Sequence, residues 1–140
     1  MRLHLKTQVS QDYQKVWAQF DEKLFLALNP PLMPVKLMRF DGCKKGDEVH
    51  LQFPFGMKWV SQIVEQGSDE QQHYFIDEGI QLPFPLKYWH HEHRILKKES
   101  HCVIEDDITY TTAYKWLDIL LYPILYVQFW YRKPIYRRYF

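Results

Sequence analysis

The sequence is poor in the residues on which several kinds of active site depend. Its 140 residues include only five glycines and two cysteines. The glycines form neither a phosphate-binding loop nor the turn that carries a catalytic serine in hydrolases. Cys43 and Cys102 are far apart and outside any CxxC or CxxH spacing, so we interpret both as reduced thiols. Paired catalytic carboxylates are missing too, because Glu105, Asp106 and Asp107 would alternate between the two faces of a strand.

The chain also lacks a strong charge of one sign and a long apolar leader. Its formal net charge is +1, which predicts no nucleic-acid partner, although Arg132, Lys133, Arg137 and Arg138 are concentrated near the C-terminus. The first twelve residues alternate polar and apolar side chains, unlike the continuous apolar segment of a secretion signal. A cytoplasmic location is therefore the default expectation.

The composition that is present predicts one globular domain over residues 1–140. Hydrophobic residues make up 46% of the chain and charged residues 25%, enough apolar material for a core. No repeat, linker or low-complexity segment divides the chain. The aromatic fraction of 17% is high, and rings with an apolar body and a polar edge suit the wall of a ligand cavity.

The N-terminal third of the sequence predicts one strand followed by two short helices. Residues 2–9 alternate polar and apolar, as in a strand with one buried face. Ser10 stands at the expected N-cap of the first helix, with Asp12 in its first turn. A second helix is predicted around residues 22–28, and the Asn-Pro-Pro segment at 29–31 should end it because proline lacks the needed amide.

The rest of the sequence predicts six further strands and a long helix. The strands are separated by turn signals such as DGCKKGD and GSDEQ. Their sequences are VKLMRF, EVHLQF, MKWVSQIVEQ, QHYFIDEG, LKYWHHEHRILK and HCVIEDDITYTT. About seven strands in total predict a strongly curved antiparallel sheet. Residues 113–140 are too long and aromatic for a strand and predict a helix bent at Pro123 and ended or bent again near Pro134.

Three short motifs support a resemblance to a known superfamily. They are SQDYQKVWAQF in the first helix, WHHEH with Trp89, His91 and His93 at the positions of W-x-H-x-H, and EDDITY with Asp106, Ile108 and Tyr110 at those of D-x-V-x-Y. Together with the element order, they make the chain resemble a small bacterial member of the START/Bet v 1-like superfamily, also called SRPBCC after polyketide cyclases and related lipid carriers. The resemblance implies an α+β helix-grip fold, in which the curved sheet wraps the C-terminal helix and leaves a cavity between them.

The stretch YWHHEH raises the question of a metal site. In a strand, Trp89, His91, His93 and Ile95 share one face and His90 lies on the other, so only two of the three histidines converge. A His-x-His pair binds zinc at a catalytic site only with a third protein ligand and an open position, and no nearby spacing supplies that ligand. We therefore predict neither a metal nor another cofactor.

The two converging histidines then have two remaining interpretations. A hairpin turn at residues 98–100 would place Asp106 beside His91 or His93. The histidines could be satisfied by Asp106, Tyr110 or solvent without any function. In the functional interpretation that we favour, they line the cavity and hydrogen-bond the polar end of an otherwise apolar ligand.

The function that the resemblance implies is binding of a hydrophobic or lipid-like small molecule, as a carrier or sensor. Pockets of this kind are lined mainly by apolar and aromatic groups, and most such residues also belong to the core. Phe84 stands between two prolines, which predicts an exposed loop at the cavity mouth. The candidate ligand-binding residues are Trp59, Phe75, Phe84, Trp89, His91, His93, Ile108, Tyr110, Trp116, Leu120 and Ile124.

Two alternatives of other classes stay open. Related cyclases and dehydratases use acid–base groups in the cavity, so His91, Asp106 and Tyr110 would be the catalytic candidates if the protein were an enzyme. Alternatively, the protein is a scaffold: residues 116–131 are apolar on nearly every side and must be covered. A homodimer contact or peripheral contact of the aromatic and basic tail with a membrane would cover them, and Lys115, Asp118 and Pro123 argue against a true membrane span.

Overall fold

The computed structural model describes residues 1–29 and 35–140. In this part of the chain the elements follow the order strand, two short helices, six strands and two C-terminal helices. The strands are β1 (Arg2–Val9), β2 (Lys36–Phe40), β3 (Glu48–Gln52), β4 (Lys58–Ser68), β5 (Gln72–Gln81), β6 (Leu86–Lys97) and β7 (Cys102–Thr112). The helices are α1 (Tyr13–Ala18), α2 (Glu22–Ala27), α3 (Lys115–Trp130) and α4 (Arg132–Tyr139).

The strands of the described residues form one antiparallel sheet in the order β1-β7-β6-β5-β4-β3-β2. Irregularities of register occur in the β2–β3, β4–β5 and β6–β7 pairs, and such irregularities bend a strand and increase its twist. The α3 helix packs against β7 and β1. The predicted α+β helix-grip fold is therefore confirmed, with its curved seven-stranded sheet, its long C-terminal helical segment and its two short helices after the first strand.

The start of α1 differs from the sequence prediction. Asp12, not Ser10, is the N-cap, and its carboxylate accepts a hydrogen bond of 3.1 Å from the backbone N–H of Gln14. The Ser10 hydroxyl instead donates to the backbone carbonyl of Phe140 at 3.1 Å, which ties the C-terminus to the end of β1. The predicted helix stop at Pro30 and Pro31 lies outside the described residues.

The C-terminal helical segment is divided at Tyr131. The α3 helix continues through Pro123, and the break lies three residues before Pro134. Pro134 itself stands in the first turn of α4, where a missing N–H costs little because that amide has no partner within the helix. Among the described residues, no helix combines the length and the apolar character that crossing a membrane requires.

Two clusters of buried side chains hold the sheet and the helices together, and β7 contributes to both. The first lies under α1, α2 and α4 and consists of Val9, Tyr13, Val16, Leu24, Leu28, Ile95, Cys102, Ile104, Ile135, Tyr136 and Phe140. The second lies under α3 and consists of Leu3, Leu5, Leu86, Trp89, Ile108, Tyr110, Leu125 and Phe129. Burying each large apolar side chain contributes about 1.5–3 kcal/mol, so these clusters fix the position of the C-terminal helices on the sheet.

The face of α3 that packs on the sheet is not the face that the sequence predicted. Trp116, Leu120 and Ile124 were expected on the inward face of the helix, but each is more than half exposed. Leu125 and Phe129 are buried in their place. The helix is apolar on nearly all sides, so its sequence pattern does not select the face that packs inward.

Candidate functional site

A cavity of about 460 Å³ lies between the concave face of the sheet, α2 and the C-terminal helices. This volume falls within the usual range of small-molecule pockets, roughly 300–1,000 Å³. Most of the side chains that line it are apolar or aromatic. They include Phe20, Leu24, Phe25, Leu28, Phe40, Val49, Leu51, Phe53, Trp59, Ile63, Phe75, Leu86, Trp89, Leu121, Ile124, Leu125 and Phe129.

One part of the cavity wall is polar. We call Asp77, His91, His93, Asp106 and Arg132 the polar cluster. Asp77 comes from β5, the histidines from β6, Asp106 from β7 and Arg132 from the start of α4. All of them except Asp106, which stands directly behind His91, line the cavity. Three neighbouring strands and one helix therefore bring carboxylates, imidazoles and a guanidinium group to one place.

Cross-strand pairing positions the two histidines between the two carboxylates. His91 is in register with Asp77 on β5, and His93 is in register with Asp106 on β7. The hydrogen bonds run diagonally: His91 Nε2 lies 2.9 Å from Asp106 Oδ1, and His93 Nε2 lies 3.0 Å from Asp77 Oδ2. The two imidazole ring centres are 3.5 Å apart. Side chains two positions apart on one face of a strand are close enough for this arrangement.

The cluster holds its carboxylates ionised and His91 neutral. Burial opposes ionisation of Asp106, but the hydrogen bond from His91 and the nearby His93 and Arg132 outweigh it and lower the pKa of Asp106 to about 2. The pKa of Asp77 is also lowered: burial opposes ionisation, but the hydrogen bond from His93 together with the charges of the two histidines and Arg132 outweighs it. Burial and the neighbouring His93 lower the pKa of His91 to about 4. At neutral pH, His91 therefore donates its Nε2 hydrogen to the Asp106 carboxylate.

Three buried polar atoms of the cavity wall have no hydrogen-bond partner among the described residues. They are Nδ1 of His93, Nε of Arg132 and the hydroxyl of Tyr136. The guanidinium of Arg132 stacks on the ring of Phe129, with 4.2 Å between Cζ and the ring centre. An unsatisfied buried polar group costs about 1–3 kcal/mol. All three side chains line the cavity, so a polar group or ion bound in the cavity would recover part of this free energy.

The structure places seven of the eleven candidate ligand-binding residues on the cavity wall. These are Trp59, Phe75, Phe84, Trp89, His91, His93 and Ile124. Phe84 is 70% exposed and lies with its flanking prolines in a loop at the cavity wall. Contact of these residues with a ligand stays a prediction.

The other four candidates do not line the cavity. Ile108 and Tyr110 are fully buried in the core cluster under α3, where the Tyr110 hydroxyl donates to the backbone carbonyl of Asp118 at 2.7 Å. Trp116 and Leu120 are on the outward face of α3. The sequence could not separate them from the cavity wall, because strand alternation does not distinguish core from cavity and the helix pattern does not show which face is inward.

Sequence reasoning missed Asp77, Arg132 and Tyr136. The search for a third ligand beside the His-x-His pair considered only nearby sequence spacing, whereas Asp77 Oδ2 on the adjacent strand β5 lies 3.0 Å from His93 Nε2. A signal for Asp77 was present: it follows His73 and Phe75 at alternate positions on the buried face of β5, where a carboxylate needs a partner. For Arg132 the signal was weak, since a basic residue at a helix start is usually exposed.

Neither a protein family model nor a curated protein matches the sequence. Several solved structures are similar in fold. Norcoclaurine synthase from Thalictrum flavum has a TM-score of 0.61 at 14% identity over 88% of this chain and 75% of that one, and another structure of it is a complex with dopamine and hydroxybenzaldehyde. An uncharacterised protein from Bacillus thuringiensis has a TM-score of 0.65 at 15% identity over 97% and 98% of the two chains.

A third similar structure is a nucleoside-diphosphate sugar epimerase from Corynebacterium glutamicum. Its TM-score is 0.65 at 18% identity, over 84% of this chain but only 25% of the epimerase chain. The described part of the chain has a helix-grip fold, and the three solved structures are similar to it in fold. At such low identities the likeness shows the fold alone.

Proposed function

We propose that the protein binds a hydrophobic or lipid-like small molecule in the cavity, as a carrier or sensor, with the polar end of the ligand at the polar cluster. The observation that carries the proposal is an apolar cavity of about 460 Å³ whose wall includes buried polar atoms that have no hydrogen-bond partner in the described part of the chain. A core filled only for stability would leave neither the volume nor the unpaired atoms.

The two parts of the cavity make different contributions to binding. Apolar contact supplies affinity at about 25 cal/mol per Å² removed from water, or about 0.8 kcal/mol per methylene. The polar cluster supplies orientation, because a ligand group that pairs with His91, His93 or Arg132 fixes which end enters first. The norcoclaurine synthase complex with dopamine and hydroxybenzaldehyde supports ligand binding at the level of the fold and does not indicate which ligand this chain prefers.

A series of 1-alkanols of increasing length tests the apolar part by calorimetry. We expect the affinity to rise about fourfold per methylene, the equivalent of about 0.8 kcal/mol, until the cavity is full. Val49→Trp places a large ring on the inward face of β3 and should shorten the longest alkanol that binds. Gln52→Trp does not add to the cavity wall and is the matched control. Absence of saturable binding, or the same cut-off in both variants, would refute the proposal.

Comparing the affinities of 1-alkanols and of n-alkanes of equal length tests the role of the polar cluster. His91→Ala should weaken alkanol binding more than alkane binding, because only the alkanol has a group to hydrogen-bond. His90→Ala, on the opposite face of β6, should change neither. Equal losses for both ligands in His91→Ala would remove the orienting role and leave only apolar binding.

A second candidate function, acid–base catalysis on a polyketide-like substrate, is supported by the His91–Asp106 pair beside the cavity. A neutral histidine that is oriented by a carboxylate is a typical general base. Tyr110 is no longer a candidate because it is buried in the core. If the protein is such an enzyme, Asp106→Asn should abolish turnover of a β-keto thioester while alkanol binding persists, and turnover that survives the substitution would exclude this mechanism.

A further inference from the structure

Asp77, His91 and His93 bring three metal-ligating atoms into one small volume. One ligand atom of each residue lies within 4.8 Å of the other two. Asp77 Oδ2 is 3.0 Å from His93 Nε2 and 3.7 Å from His91 Nδ1. In tetrahedral coordination with bonds of about 2.0–2.1 Å, neighbouring ligand atoms are about 3.3 Å apart. Small side-chain movements would therefore bring the three ligand atoms to the separations of a tetrahedral metal site.

We propose that these three residues bind a divalent transition-metal ion of the zinc class in the cavity wall, with the fourth coordination position open to the cavity. Two imidazoles and one carboxylate are a ligand set that zinc adopts when one position is left for water or substrate. The metal would hold the polar end of the ligand, and this part of the inference rests on the proposed function. Binding of the metal ion itself does not depend on it.

Asp106 stands where the outer carboxylate of such a site belongs. It accepts the Nε2 hydrogen of His91 at 2.9 Å, which leaves Nδ1 of His91 with a free lone pair toward Asp77. Ligand histidines generally donate their second ring hydrogen to a carboxylate in this manner. Asp106 Oδ1 is also 3.4 Å from Nδ1 of His93, the buried atom that lacks a hydrogen-bond partner in the described residues. Ligation through Nε2 would place a hydrogen on that atom, facing Asp106.

The charges of the polar cluster also favour a cation. Asp77 and Asp106 are buried carboxylates, and Arg132 is the cation that acts on both of them. Coordination requires both histidines in the neutral form, and the two carboxylates and Arg132 then leave one negative charge in excess, which is costly inside a protein. A divalent ion reverses that excess and leaves one positive charge, which suits a polarised or anionic donor at the fourth position.

A second group of potential ligands in the described residues, His4, Glu105 and Asp107, lies on the outer face of the sheet and serves as a control. Asp107 is already paired with Arg2 through two contacts of 2.9 and 2.7 Å. His4 is hydrogen-bonded to Glu105 at 2.6 Å. A metal on this group would have to displace an ion pair and would be open to solvent, so His4→Ala reports only adventitious surface binding.

The test is titration of chelator-treated full-length protein with Zn²⁺ by calorimetry and with Co²⁺ by visible absorption. We expect one equivalent to bind and Co²⁺ to show the intense d–d bands of a four-coordinate site. Asp77→Asn and His93→Ala should weaken binding at least about 100-fold and abolish the bands, and Asp106→Asn should weaken it about 10–100-fold. His4→Ala should bind like the wild type. No binding by the wild type, or undiminished binding in both ligand variants, would overturn the site.

Two further readouts keep the test decisive if a variant folds poorly. In the wild type, Co²⁺ should shift and broaden the ring-proton NMR signals of His91 and His93 and leave those of His4 and His101 sharp; the opposite pattern would overturn the proposal. Binding of 1-decanol with and without Zn²⁺ separates the two proposals. Decanol binding with no metal binding overturns the metal site alone, whereas loss of both overturns the proposed function as well.

Discussion

His91 and Asp106 form a hydrogen-bonded pair of 2.9 Å across β6 and β7, with only 5% and 4% of their side chains exposed. The pair is placed by strand register, with His91 in the cavity wall and Asp106 directly behind it. Because both side chains are buried, removing one leaves the other without a hydrogen-bond partner in an environment of low dielectric constant. The pair therefore contributes to stability as well as to the site.

Asp106→Asn should destabilise the protein by about 1–3 kcal/mol, the usual cost of losing a buried hydrogen bond to a charged group. Urea unfolding at pH 7 measures the change. Asp107→Asn is the matched control, since Asp107 is the next residue on the opposite face and its partner Arg2 is largely exposed, so its ion pair contributes little. Equal effects of the two substitutions would show that the His91–Asp106 pair has no special energetic role.

Tyr110→Phe should lower the free energy of unfolding by about 0.5–1.5 kcal/mol and leave alkanol affinity unchanged. Burial raises the pKa of Tyr110 to about 12, so its hydroxyl remains a donor to the Asp118 carbonyl and links β7 to the first turn of α3. Chemical denaturation and calorimetry together distinguish this structural role from the ligand contact that the sequence suggested. A selective loss of affinity at unchanged stability would restore Tyr110 to the site.

The buried imidazole of His73 should make the protein less stable in weak acid. His73 stacks on Trp17 and is hydrogen-bonded to Ser68 and Gln14, each at 2.7 Å. Burial lowers its pKa below 6.5, with Asp69 opposing. Its contribution is therefore complete above pH 6.5 and is lost as the pH falls, because the unfolded chain takes up the proton first. The loss amounts to about 1.4 kcal/mol per unit of pKa depression.

An NMR titration of the His73 ring protons measures this pKa directly. Urea unfolding of the wild type and of His73→Phe at pH 7.5 and 5.5 then tests its effect on stability. Phenylalanine keeps the ring stacking but cannot take up a proton, so the variant should lose less stability between the two pH values. A ring that titrates at 6.5 or above would contradict the prediction.

Cys43 should react slowly with iodoacetamide although it lines the cavity. Burial raises the pKa of its thiol from 9.0 to about 12, which lowers the thiolate fraction at pH 8 about a thousandfold. The higher nucleophilicity of the more basic thiolate offsets part of this effect, so we expect alkylation at least about tenfold slower than in the urea-unfolded chain. Mass spectrometry measures the alkylation of each cysteine separately. Equal alkylation rates of Cys43 in the folded and the unfolded protein would show that the fold does not shield its thiol.

The strands were predictable because two independent signals agreed. The runs from residue 35 to residue 112 combine alternating polarity with turn residues between them, and every predicted strand lies within two residues of an observed one. The alternation also fixed the faces of β6, since Trp89, His91 and Ile95 are all buried. Local pattern and global fold agree in this part of the chain, which is typical of natural sequences.

The site was predictable only in part because it is assembled by long-range pairing. His91 and Asp106 were placed together because one hairpin joins their strands. Asp77 came into the cluster through the β5–β6 register, and Arg132 through the docking of α4, for which the sequence offers no local signal. The inward face of α3 was mispredicted for a related reason: a helix that is apolar all round is oriented by what it packs against.

The strand order has a consequence for synthesis of the protein. Among the described strands β1 is paired only with β7, with Leu3 opposite Ile108, so β1 cannot complete its pairing before β7 has left the ribosome. Until then its apolar residues and its free backbone amides are exposed to other chains. A topology that depends on contacts so distant in sequence folds slowly, and β1 should therefore be a site of aggregation while its partner strand is unformed.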